Sequence, residues 1–172
     1  MGDIILRSFS DLKEQDFISF YDIRYSNYVQ RNFGGEVPSL DAHLKWANSV
    51  TGSTTYKGFA ITLNTVIIGG CSLKFISKIN SNAEFDIFLS KSSSGKGYGK
   101  IVMKKLLHYG FMDLELHRIY AFFLEFNEHA FKLYANLGFK KEGLLRENVY
   151  KNEKYFNSIL IGLLKNEYEY NC

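Results

Sequence analysis

In the middle of this chain an alternating strand runs into a loop with three glycines, and the loop runs directly into a helix. Ala83, Phe85, Ile87 and Leu89 alternate with Glu84, Asp86 and Phe88, the period-two pattern of a strand with one face in the core. Ser94-Gly95-Lys96-Gly97-Tyr98-Gly99 follows, and a helix is expected from about 97 to 113, with Val102, Leu106 and Tyr109 along one side. Long hairpins lie on both sides of this unit. Residues 55–63 and 65–75 are apolar runs divided by Asn64-Thr65, and 139–149 and 154–164 meet at Lys151-Asn152-Glu153. Hairpins make antiparallel pairs, which argues against a purely parallel doubly wound sheet. The expected class is mixed α/β.

The remaining elements fit that order. Residues 3–9 read as an opening strand, and a polar start at Ser10-Asp11 leads into a helix through about Tyr25, carrying Phe17, Phe20, Tyr21 and Arg24. The chain breaks at Phe33-Gly34-Gly35. Ser39 then caps a second helix with Leu40, His43, Leu44 and Ala47 at helical spacing. Residues 117–124 form another strand. Asn127 opens a helix with the apolar stripe Ala130, Leu133, Tyr134 and Leu137, and Gly138 ends it in the left-handed position.

Composition narrows the function classes. With 172 residues, 46% hydrophobic and 23% charged, disorder is excluded and one domain over 1–172 is expected. Cys71 and Cys172 are too few for a disulfide framework; Cys71 reads as a small core residue and Cys172 as loose. No apolar run reaches the ~20 residues of a membrane span, no signal-peptide layout opens the chain, and Leu6 breaks the myristoylation pattern begun by Met1-Gly2. A soluble cytoplasmic protein is expected. His43, His108, His117 and His129 lack metal-ligand spacing, so no metal is expected.

The net charge is only +3, yet Lys91, Lys96, Lys100, Lys104 and Lys105 fall in one stretch without an acid, so the rest of the chain is net negative. Local positive charge beside glycines that let the backbone approach a ligand suggests a phosphate cradle. The start of the following helix adds its dipole. Neither Gly-Lys pair meets the P-loop pattern, and Val102 stands where the dinucleotide fingerprint needs its third glycine. The plain alternative is a punctuating loop with solvated lysines.

Two segments resemble the GNAT acetyltransferase superfamily. Gly97 and Gly99 match the last two fixed positions of its Gln/Arg-x-x-Gly-x-Gly/Ala loop, although Ser94 stands at the first. The run from Asn127 through Ala130 and Tyr134 to Gly138-Phe139 is similar to its Asn-x-x-Ala/Ser-x-x-x-Tyr-x-x-x-Gly-Phe segment. Residues 140–147 resemble the branch with ribosomal-protein-alanine, spermidine and nucleotide-sugar amine acetyltransferases. The resemblance implies a mostly antiparallel sheet of about seven strands flanked by about four helices, with a splayed strand pair at an acyl-CoA site. It implies an N-acetyltransferase moving acetyl directly from acetyl-CoA to a primary amine. Phe88 and Leu89 would pair with pantetheine, and the amides of Gly95, Lys96, Gly97, Gly99 and Lys100 would hold the pyrophosphate. Asn127 would touch the pantetheine arm, Tyr134 would act as general acid, and Glu84 would deprotonate the amine, with Asp86 competing for that role.

Each role has a plain alternative: Asn127 as a helix N-cap, Tyr134 as core, Glu84 as an exposed strand residue, and His129 as solvent-facing. Arg24, Tyr28, Arg31, His43 and Trp46 fall in the segment that supplies acceptor contacts in similar proteins. The acceptor is left open between a nucleotide-linked amino sugar, a polyamine and a protein N-terminus. A second copy of the chain is an optional partner; a membrane and nucleic acid are not expected. The rival function is a non-catalytic acyl-CoA-binding module. A nucleic-acid binder would need more aromatics among the lysines than Tyr98 provides.

Overall fold

A computed structural model describes residues 2–170; Met1, Asn171 and Cys172 lie outside the described residues, and with them the reading of Cys172 as loose. Seven strands form one sheet: β1 (Ile4–Ser8), β2 (Tyr56–Leu63), β3 (Val66–Ser77), β4 (Asn82–Leu89), β5 (Arg118–Leu124), β6 (Lys140–Lys151) and β7 (Lys154–Leu164). Their spatial order is β1-β2-β3-β4-β5-β7-β6. Every neighbouring pair is antiparallel except β4 and β5, which run parallel.

The hairpins close where turn chemistry places them. Asn64 takes φ 57° between β2 and β3, while Asn152 and Glu153 take φ 50° and 61° between β6 and β7. Positive φ at both central residues is the turn whose twist matches that of paired strands. The last hairpin runs two residues further than expected, with Lys151 opposite Lys154.

Helices cover both faces. The helices α4 (Tyr98–His108) and α5 (Glu128–Ala135) pack on one face, where Phe85, Val102, Met103, Leu106, Ala130 and Tyr134 belong to the larger core cluster. The helices α1 (Glu14–Arg24), α2 (Asn27–Gln30) and α3 (Leu40–Val50) pack on the other, where Phe9, Phe17, Phe20, Ala47 and Phe88 form a second cluster. Alternation along β4 explains the split: Phe85 faces α5, and Phe88, three residues on, faces α1. A short α6 (Lys165–Tyr170) follows β7.

Six α-helices replace the expected four, because the chain makes short extra turns where the pattern is too brief to read. Residues 9–11 form a 3₁₀ turn, and α1 begins only at Glu14, where the Asp16 carboxylate accepts the Lys13 N–H at 3.0 Å. Ser26 caps the four-residue α2. The helix expected to reach 113 is α-helical to His108 and then widens into a π-turn over Tyr109–Asp113. The helix α5 stops at Ala135, yet Gly138 still takes the left-handed φ of 90°.

Candidate active site

The gap between β4 and β5 comes directly from their register. Pairing runs from Asn82↔Arg118 to Glu84↔Tyr120 and stops there, although β4 continues to Leu89 and β5 to Leu124. The β5-facing edge of Phe88 and Leu89 therefore has no strand partner, while their other edge pairs with Gly70 and Gly69 of β3. Unpaired main chain within a sheet is a standing hydrogen-bonding surface for an extended ligand.

The glycine loop lies at the end of that edge. Gly95 and Gly97 take φ 75° and 81°, and a Cβ built on either would point into open space. Gly97 is the left-handed N-cap residue of α4. Among the described residues, no protein acceptor pairs with the consecutive N–H groups of Gly95, Lys96, Gly97, Tyr98 and Gly99. These orphan donors at a helix start suit a diphosphate. One correction follows: the Lys100 amide donates to the Gly97 carbonyl at 3.2 Å, so Tyr98 replaces it among the free amides. The Lys96 and Lys100 side chains are exposed.

Asn127 is an N-cap, its Oδ1 accepting the Ala130 N–H at 3.1 Å, which leaves its amide NH₂ uncommitted. Tyr134, two turns along α5, is buried among Phe85, Phe123 and Phe139 with ring centroids at 5.1, 5.5 and 5.9 Å. Burial pushes its hydroxyl well above the usual phenol range, and the Asp86 carboxylate pushes it the same way.

On the other face of β4, α1, α3, β2 and β3 enclose a cavity of about 680 Å³. Its walls include Phe20, Tyr25, His43, Trp46, Tyr56 and Phe88, and its charged groups are Arg24, Lys74 and Asp86. Asp86 accepts the Ser72 hydroxyl at 2.6 Å. Glu84, the residue expected to be the base, is not part of this wall; its carboxylate is paired with Lys74 at 2.9 Å. The cross-strand register decides this, since Lys74 stands opposite Glu84 and Ser72 opposite Asp86.

His43 is fully enclosed, and neither of its ring nitrogens has a hydrogen-bond partner. Burial holds it below the usual imidazole range, and the Arg24 charge acts in the same direction. The Arg24 guanidinium lies 4.0 Å over Phe33, and its Nη1 is sealed from solvent without a partner. Lys151 pins the loop that carries Phe33 by donating to the carbonyls of Gln30 and, at 3.0 Å, Phe33. Arg31 and Tyr28 stack on each other at 4.3 Å and do not line the cavity. His129 is exposed in the first turn of α5.

Several cavity residues escaped the sequence reading as site residues. Tyr25, Tyr56 and Cys71 come from the end of α1, from β2 and from β3, and the sheet register together with the seating of α1 on the sheet brings them to one wall. Cys71 is buried with its thiol pushed up, first by burial and then by Asp86. Among the described residues, no group of three His, Cys, Asp or Glu side chains is placed to hold a metal ion.

Comparison with known proteins agrees with this geometry. Residues 3–140 match the family model described as an acetyltransferase (GNAT) domain. A Bacillus licheniformis protein named uncharacterized N-acetyltransferase p20 is 36% identical over 102 residues, 59% of this chain and 57% of its own length. The spermidine N(1)-acetyltransferase of Vibrio cholerae is 33% identical over 102 residues, 59% of each chain. The chain thus spans little more than half the length of these curated relatives. A crystal structure of Vibrio cholerae spermidine N-acetyltransferase with CoA and spermine superposes with a TM-score of 0.90 at 26% identity, covering 96% of this chain and 98% of that one.

Proposed function

The chain belongs to the GNAT acetyltransferase family, and from that premise we propose that it moves the acetyl group of acetyl-CoA directly to a primary amine. The observation that carries this reading is the run of unpaired amides from Gly95 to Gly99 at the end of an unpaired β4 edge. A diphosphate and an extended amide-bearing arm would be held there by main chain alone, so Ser94 in place of a longer side chain costs little. Asn127, with a free NH₂, would meet the same arm.

In this reading the acceptor enters from the cavity and its neutral nitrogen attacks the thioester carbonyl. The N–C bond forms, the C–S bond breaks, the nitrogen loses one proton, and the sulfur leaves as a thiolate that is protonated from solvent, to which Asp86 returns the amine proton. Asp86 takes the amine proton, since its carboxylate faces the cavity while Glu84 is committed to Lys74. Tyr134 donates its hydroxyl hydrogen bond to the departing sulfur. No covalent enzyme intermediate is required, and Cys71, with a raised thiol, is a poor nucleophile.

Thermal shift and thiol release test the proposal. Acetyl-CoA at 100 times its Kd should stabilise the fold by about 2.7 kcal/mol. An amine panel should then release CoA thiol. Stabilisation without release from any amine would leave a CoA-binding module instead. A cytoplasmic location belongs to the same reading and suits the free Cys71 thiol; no helix among the described residues is long and apolar enough to cross a membrane. A second copy of the chain is a further proposed partner, with exposed Leu144, Leu145, Tyr150 and Tyr155 on β6 and β7 as the apolar surface it would cover, to be read as dimer mass in solution.

A further inference from the structure

Resting on the transfer reading above, we infer that the acceptor is a primary amine that also carries an anionic group, a carboxylate or a phosphate, on a flat apolar body. Arg24 would hold the anion and Asp86 would meet the amine.

The cavity leaves polar groups unsatisfied. Arg24 makes none of the ion pairs found among the described residues. Its Nη1 is buried without any acceptor, and the surroundings of its guanidinium are aromatic: Phe33 at 4.0 Å, and Tyr25 and Phe88 at 5.4 Å. A guanidinium nitrogen sealed from water without an acceptor is costly, and cation–π contacts recover only part of that cost. His43 adds two more unpartnered nitrogens on the same wall. These groups are donors and acceptors waiting for a ligand. Arg presents a planar fork matched to carboxylate and phosphate oxygens.

Charge favours such an acceptor over a polyamine. Asp86 is the sole acid on the cavity wall, and the other two charged groups there are cationic. Lys74 is paired with Glu84, which leaves Arg24 and Asp86 as the two unpaired charges of the wall, opposite in sign. A polyamine would bring several ammonium groups into a site with one carboxylate and one free guanidinium. Like charges at close range in a poorly solvated site disfavour that complex. An amine paired with an anion places each charge against its opposite. The remaining wall is ring on ring: His43 stacks on Phe20 at 5.9 Å and leans on Trp46 at 5.2 Å, so the body between the two charges should be flat and apolar. A volume of about 680 Å³ lies within the range of small-molecule sites.

The test is CoA thiol release from acetyl-CoA with matched amines: phenylalanine against phenylalaninamide, glucosamine 6-phosphate against glucosamine, and spermidine. In at least one pair the anionic member should show kcat/KM at least about tenfold above its neutral partner, with spermidine below both. The pair that responds tells carboxylate from phosphate. Arg24→Gln should bring that ratio toward one, with acetyl-CoA stabilisation retained as the check on folding. If that variant loses acetyl-CoA stabilisation, Arg24→Lys takes its place, and its ratio should fall several-fold because the fork is gone. Preference for spermidine or for the neutral member in both pairs overturns the inference, as does an unchanged ratio in the Arg24 variant. Thiol release from none of the amines removes the transfer reading itself, and this inference with it.

Discussion

Replacing Tyr134 with Phe separates chemistry from packing more cleanly than any other change in this protein. The ring sits edge-on to Phe85, Phe123 and Phe139, and each such contact is worth about 0.5–1.5 kcal/mol beyond its buried area. Phe keeps all three. No hydrogen bond from the hydroxyl to a described residue contributes, so its removal should change stability by no more than about 0.5 kcal/mol. Tyr134→Ala, which deletes the ring, should cost about 3–5 kcal/mol.

The catalytic effect is bounded by acidity. A model thiol has a pKa of about 8.5, and Tyr134 is held above the usual phenol range, first by burial and then by Asp86. Full proton transfer from Tyr134 to the thiolate is therefore uphill, and the hydroxyl acts as a hydrogen-bond donor to the developing charge. General-acid help spans about 10²–10⁴-fold, and a donated hydrogen bond should lie below it, at about tenfold in kcat, or ~1.4 kcal/mol in barrier. Steady-state thiol release gives kcat, calorimetry gives acetyl-CoA affinity, and melting gives stability. Only kcat should move. The raised pKa also keeps the hydroxyl protonated as pH rises past 10, so Tyr134 should add no alkaline limb to the wild-type rate profile below that pH. Undiminished turnover in Tyr134→Phe, or a joint loss of stability and acetyl-CoA affinity, would refute this reasoning.

The other substitutions probe separate parts of the site. Asp86→Asn should lower kcat/KM at least about tenfold, most strongly at low pH where the amine is charged, whereas Glu84→Gln should cost only its ion pair with Lys74, about 1 kcal/mol seen in a melt. The opposite pattern would return the base role to Glu84. Gly97→Val should abolish stabilisation by CoA, because its side chain would fill the open space beside the free amides, and its left-handed φ of 81° should add about 1–3 kcal/mol of strain. His43 is held neutral in the fold, so below its ordinary pKa of 6.5 the unfolded chain gains a proton that the native chain refuses. Stability should therefore fall from pH 7 toward pH 5, and His43→Phe should flatten that slope.

The local geometry of the proposed donor half was legible in the sequence because it is local. The β4 alternation, the glycine loop and the Asn127 cap each occupy a few consecutive residues, and short-range chemistry fixes them: period-two packing, left-handed glycines, a side chain reaching three residues on. The short α2 and the π-turn after His108 were missed for the converse reason, since four or five residues carry too little pattern. Glu84 and Asp86 show why pattern alone could not choose a base. They are two apart, share a face, and look alike to any periodicity argument. What separates them is the residue across the strand, Lys74 for one and Ser72 for the other.

That difference extends to the whole acceptor cavity. Arg24 and Tyr25 come from the end of α1, His43 and Trp46 from α3, Tyr56 from β2, and Asp86 from β4, spanning more than sixty positions of sequence. None of these residues signals a site by itself; each is an ordinary charge or aromatic on its own element. The site exists because Ala60 and Gly70 leave the sheet thin enough for α1 to sit close, Gly70 so tightly that a Cβ there would meet the Phe20 ring at 2.2 Å. Close seating of α1 carries Arg24 in with Phe20 and seals its Nη1 beside the rings of Phe33, Tyr25 and Phe88. The same contact that fills the core on this face thus leaves a cation without a paired acid, and the acceptor preference we infer would follow from packing rather than from any motif.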